Sequence, residues 1–131
     1  MIEEIYDGKT LLAIILRANY SQDGIQFFTP KEFSQQLGYM KRPKGYIVQA
    51  HIHMSLSRAV FLTQEVLFIK NGKLRMDIFD LKKTLVKKVV LQTGDVVLLA
   101  SGGHGFEMLE ECEIIEVKTG PHLGDKDKTR F

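Results

Sequence analysis

Three short stretches decide how this chain is read: Gly45-Tyr-Ile-Val-Gln-Ala-His51-Ile-His53, Glu65-Val-Leu-Phe-Ile-Lys-Asn-Gly72 and Gly94-Asp-Val-Val-Leu-Leu-Ala-Ser-Gly-Gly-His104. Each is a β-like run rich in branched or aromatic residues, and each is bounded by glycine. Side chains two apart on a strand face one way, so His51 and His53 are predicted to share a face, with Gln49 and Ile47 beneath them. Three histidines and a glutamate at the ends of such runs can converge only if the sheet curls back on itself. An imidazole and carboxylate set of this kind suits a divalent first-row metal and leaves coordination positions open. His51, His53, Glu65 and His104 are therefore the predicted metal ligands.

Working outward, the same grammar continues. Asn71-Gly72 is a strong hairpin signal between Glu65–Ile69 and the alternating Lys73–Ile78, so those two strands are expected to pair. Asp80–Lys83 is a turn, Leu85–Leu91 a strand, and Val96–Leu99 a short apolar strand expected to be buried on both sides. His104–Leu109 and Cys112–Val117 are the last strands expected. Towards the N-terminus, Thr10–Tyr20 and Ile25–Phe28 read as a hairpin joined by Ser21–Gly24. Thr29-Pro30-Lys31-Glu32 carries a hydroxyl cap, a first-turn proline and a glutamate three residues on, which predicts a short helix closed by Gly38. About nine to eleven short strands with one short helix are the signature of an all-β sandwich or barrel.

At 131 residues and 44% hydrophobic composition the chain supports one core, read as a single domain: 1–44 an N-terminal hairpin and short helix, 45–117 the core barrel, 118–131 a polar C-terminal tail. Lys plus Arg (18) nearly balances Asp plus Glu (16), so no long-range field favours a nucleic-acid partner. The longest early apolar run, Leu11–Leu16, falls far short of the roughly 20 residues that span a bilayer. Neither a membrane partner nor a signal segment is expected, and a cytoplasmic location is. The single cysteine, Cys112, excludes an internal disulfide, and its neighbours Glu110, Glu111 and Glu113 disfavour a thiolate.

The glycine, His-x-His, glutamate and glycine series Gly45, His51, His53, Glu65, Gly72, followed by Gly94, Gly102 and His104, resembles the two motifs of the cupin superfamily. Eleven residues stand between His53 and Glu65, more than the family has there, and Ala100 stands where the second motif has proline. The phrases Thr63–Ile69, Leu99–Phe106 and Gly120–Phe131 also look like a group of small bacterial cupins. The resemblance implies a cupin-type double-stranded β-helix, or jelly-roll, barrel holding one divalent transition metal (zinc, manganese, iron or nickel).

For such a barrel two functions are expected. One is a metal-dependent enzyme acting on a small polar metabolite, of the sugar-derivative isomerase, epimerase or dioxygenase type. The other is a binding or sensing module without turnover. Gln49, Arg58 and Thr63 are candidate substrate contacts, Arg58 because a guanidinium grips carboxylate or phosphate bidentately. Open strand edges point to a possible homodimer.

Overall fold

Thr10–Leu16 and Val96–Leu99 are the most deeply buried strands, and their sequences explain why: both are continuous apolar runs that can be covered on two faces. In the computed structural model, which describes residues 1–131, they lie side by side at the centre of a five-stranded antiparallel sheet. Its order is β1 (Ile2–Asp7), β2 (Thr10–Leu16), β8 (Val96–Leu99), β5 (Glu65–Asn71), β10 (Glu113–Lys118). A second antiparallel sheet has the order β7 (Leu85–Gln92), β6 (Lys73–Phe79), β9 (Gly103–Met108). A small ribbon, β3 (Gly24–Phe27) with β4 (Gly38–Lys41), completes an all-β protein with one 3₁₀ turn at Gly124–Asp127.

The main core lies between the two larger sheets. Ala13, Ile15, Leu67, Ile69, Val97 and Leu99 from the first meet Leu74, Met76, Ile78, Val89 and Leu91 from the second. Strict alternation in Lys73–Phe79 sends Leu74, Met76 and Ile78 inward and Arg75, Asp77 and Phe79 outward. The other face of β2 and β8 is covered too: Ile14, Leu98 and Ala100 pack under Phe28, Phe33 and Leu37. Gln64 fastens that cover, accepting from Ser34 Oγ at 3.1 Å and the Gln35 amide at 3.2 Å through Oε1.

Four expectations are corrected. Residues 29–37 are a loop, not a helix, and Gly38 opens β4. Thr29 Oγ1 accepts from the Leu37 amide at 3.2 Å, and Gln36 Nε2 donates to the carbonyls of Pro30 and Phe33, so the capping residues close a loop that lays all three apolar side chains on the sheet. The opening hairpin is β1 with β2, turned at Gly8-Lys9, and Ile25–Phe27 pairs with β4 instead of β2.

Asn71-Gly72 does not close a hairpin. β5 pairs with β8 and β10, while β6 pairs with β7 and β9, so this turn is a corner between sheets. Residues 46–53, read as a strand, pair with nothing, and 42–64 contain no secondary structure. No helix is long and apolar enough to cross a membrane.

Candidate functional site

Glu65 opens β5, opposite Lys118 on β10 and Leu99 on β8, and shares the inward face with Leu67 and Ile69. His104 is the second residue of β9, opposite the buried Ile78, and so also faces inward. The two facing sheets bring Glu65 Oε2 and His104 Nε2 to 3.4 Å, with both side chains partly buried. The His104 imidazole holds the Glu65 carboxyl below its ordinary value, outweighing the opposite push from burial, and Lys118 and Lys128 act in the same direction. The His104 ring lies 5.6 Å from that of Phe106, tilted by 54°.

The pair opens into a groove of about 700 Å³ that wraps the free edge of β9. Thr63, Glu65, His104 and Phe106 line its inner side. Asp77 and Phe79 line its outer side, together with Lys83 and the tail residues 127–131. Arg75 grips Asp77 bidentately at 2.8 and 3.0 Å and also reaches Glu107 at 2.7 Å, which holds the Asp77 carboxyl below its usual range.

The tail returns across the end of the two facing sheets rather than trailing away. Thr63 Oγ1 donates to Asp127 at 2.6 Å, the Phe131 ring meets Phe79 edge-on at 5.0 Å, and Lys83 Nζ lies 5.6 Å over Phe131. Lys83, Asp127 and Phe131 carried no signal in the sequence, because their proximity depends on this return. Alternation along Lys73–Phe79 could have flagged Asp77 and Phe79 as outward residues, though not as groove residues.

His51 and His53 are placed elsewhere. Their rings touch each other edge-on at 5.1 Å, His51 Nδ1 is 2.9 Å from the Gln49 carbonyl, and both side chains are exposed. Gln49 and Arg58 share that exposed segment, whereas Thr63 lies in the groove. Of the four predicted ligands, one chain thus brings together Glu65 and His104 alone, and no group of three or more metal-ligating side chains converges. Cys112 donates weakly to the Lys73 carbonyl, as a packing residue does. Comparison with protein-family models, with curated proteins and with solved structures returned no match for this chain.

A second cavity of about 580 Å³ lies on the outer face of the five-stranded sheet, lined mainly by apolar groups including Tyr6, Leu11, Phe33 and residues 59–62. Lys9, Thr10, Glu32, Ser34, Gln64 and Ser101 supply its polar lining. It carries no titratable pair of the Glu65–His104 kind.

Proposed function

We propose that this chain is a cupin-type metal-binding protein, an enzyme acting on a small polar metabolite, centred on Glu65 and His104. One observation carries the reading: residues far apart in sequence, assigned to one ion by motif spacing, meet at 3.4 Å from strands of two different sheets. A carboxylate oxygen and an imidazole nitrogen are donors suited to zinc, manganese, iron or nickel. Within a single chain they do not complete a site, since His51 and His53 stand on the exposed segment.

What the chain's own groups do is narrower. Glu65 Oε2, 3.4 Å from His104 Nε2, orients the imidazole, so that a proton on Nε2 points at the carboxylate. Thr63, beside the pair, has its hydroxyl proton committed to Asp127 and can only accept from a polar ligand. The second reading, binding without turnover, is favoured by the other side-chain carboxylates at the groove: Asp77 is gripped by Arg75, Asp80 accepts from the Lys82 and Thr84 amides, and Asp127 accepts from Thr63, so each is already engaged.

Metal content per chain, measured on protein purified without a histidine tag, tests the reading. Near-stoichiometric metal in wild type, lost in Glu65→Ala and in His104→Ala, is the expected result. A wild type that takes up no divalent ion on titration overturns the metal-binding reading and leaves the ligand-binding one.

A further inference from the structure

The chain holds eight residues at positive φ, and seven of them are glycine. The eighth is Lys83, at φ 68°. That backbone conformation strains a residue with a Cβ, and glycine or asparagine is its usual occupant. The turn between β6 and β7 leaves Lys83 no alternative, because Asp80 closes it with four bonds. The Asp80 amide donates to the Thr84 carbonyl at 2.9 Å, its carbonyl accepts from the Lys83 amide at 3.1 Å, and its Oδ1 accepts from the amides of Lys82 and Thr84. Glycine would suit this turn better, so backbone geometry does not explain the lysine. Strain imposed by the surrounding bonds directs attention to the side chain.

That side chain lines the groove that holds Glu65 and His104. Its ammonium lies 5.6 Å over the Phe131 ring, an aromatic seat within cation–π range. Lys128 lines the same groove. Asp127, the residue before it, accepts from Thr63 Oγ1 at 2.6 Å, which ties Lys128 to the end of β5 where Glu65 stands. Neither ammonium forms an ion pair with a carboxylate of the chain. Arg130, the other cation of the lining, is paired with Asp125 at 3.0 Å.

The carboxylates of the groove are all engaged: Glu65 with His104, Asp77 with Arg75, Asp80 with its own turn and Asp127 with Thr63. Uncommitted charge in the groove is therefore positive. Its volume of about 700 Å³ accepts a small metabolite. Ammonium groups without a partner in the protein favour a ligand that brings a carboxylate or a phosphate.

We propose that Lys83 and Lys128 bind the anionic group, a carboxylate or a phosphate monoester, of a small metabolite held in this groove. The choice of a small metabolite rests on the function proposed above, whereas the anion site itself requires no metal. An anion bound by the two lysines leaves the rest of the molecule in the same groove as His104 and Thr63.

Metal-stripped protein, labelled with ¹⁵N, is titrated with inorganic phosphate and separately with acetate while its amide resonances are followed. Shifts are expected to concentrate at residues 80–84 and 127–131. The apparent Kd is expected to rise about tenfold or more in Lys83→Met and in Lys128→Met, and to stay unchanged in Lys87→Met, on β7 outside the groove. Tighter binding of phosphate identifies a phosphate monoester as the ligand group, and tighter binding of acetate a carboxylate. Anions that shift no groove resonance, or that bind wild type and both groove variants equally, overturn the proposal.

Lys83→Gly separates binding from folding. Relief of the strained backbone is expected to raise the thermal midpoint by about 3 °C while phosphate affinity is lost. Phosphate affinity retained in Lys83→Gly overturns the proposal whatever the midpoint does. Metal uptake is measured on the same wild-type preparation before stripping and on titration afterwards. Phosphate binding by a protein that takes up no metal sustains the anion site and removes the metal-binding reading; metal uptake without anion binding does the reverse.

Discussion

At the scale of single residues, Asp95 shows how one buried carboxylate can organise a fold without belonging to a site. It is 1% exposed, and its oxygens accept from the Ala18 amide at 2.9 Å, Arg17 Nη1 at 2.9 Å and the Gln92 amide at 3.0 Å. Asp95→Ala strands those donors and is expected to lower the unfolding free energy by about 3 kcal/mol in urea titrations. Glu65 is different, because its stabilising contact is also its functional one. Its native carboxyl value lies below the ordinary 4.5, so its ionised form adds stability above that value and loses it as pH falls through the lowered one. Metal-free wild type is expected to exceed Glu65→Gln in stability near about pH 6, with the gap closing under acid; a pH-independent gap in thermal melts would contradict the pairing.

Among elements, the corner at Gly72 decides the topology. With φ at 105° it adopts a conformation that side chains resist, and an added Cβ would collide with the Glu111 carbonyl and with Cys112. Thr93 locks the corner from the other side, its hydroxyl accepting from the Gly72 amide at 3.0 Å. Gly72→Ala is expected to cost about 2 kcal/mol or more, read as a drop in the urea midpoint. The same dipeptide looked like a hairpin because a tight turn has one local signature whichever sheets it joins. The loop at 29–37 went the same way: cap and proline suit a helix start, but burying Phe28, Phe33 and Leu37 against one sheet outweighs two turns of helix.

For the whole molecule, the return of the C-terminal tail matters most to the groove. Phe131 on Phe79, with Asp127 on Thr63, fixes residues whose composition alone suggested a free polar end. Phe131→Ala is expected to cost only about 1 kcal/mol of stability while making residues 118–131 markedly easier to cleave in limited proteolysis. Unchanged cleavage would mean that the aromatic contact does not hold the tail. The strand inventory from Glu65 to Val117 and the double burial of β8 were legible in order, since period-two alternation and continuous apolar runs are properties of consecutive residues. So were Glu65 and His104 as a pair worth testing. Strand partners, the corner at Gly72, the groove wall built from Lys83 and Phe131, and the separation of His51 and His53 from the other two ligands were decided only by tertiary structure. Each depends on which distant surfaces meet, and that follows from summed burial across the chain rather than from any local run of residues.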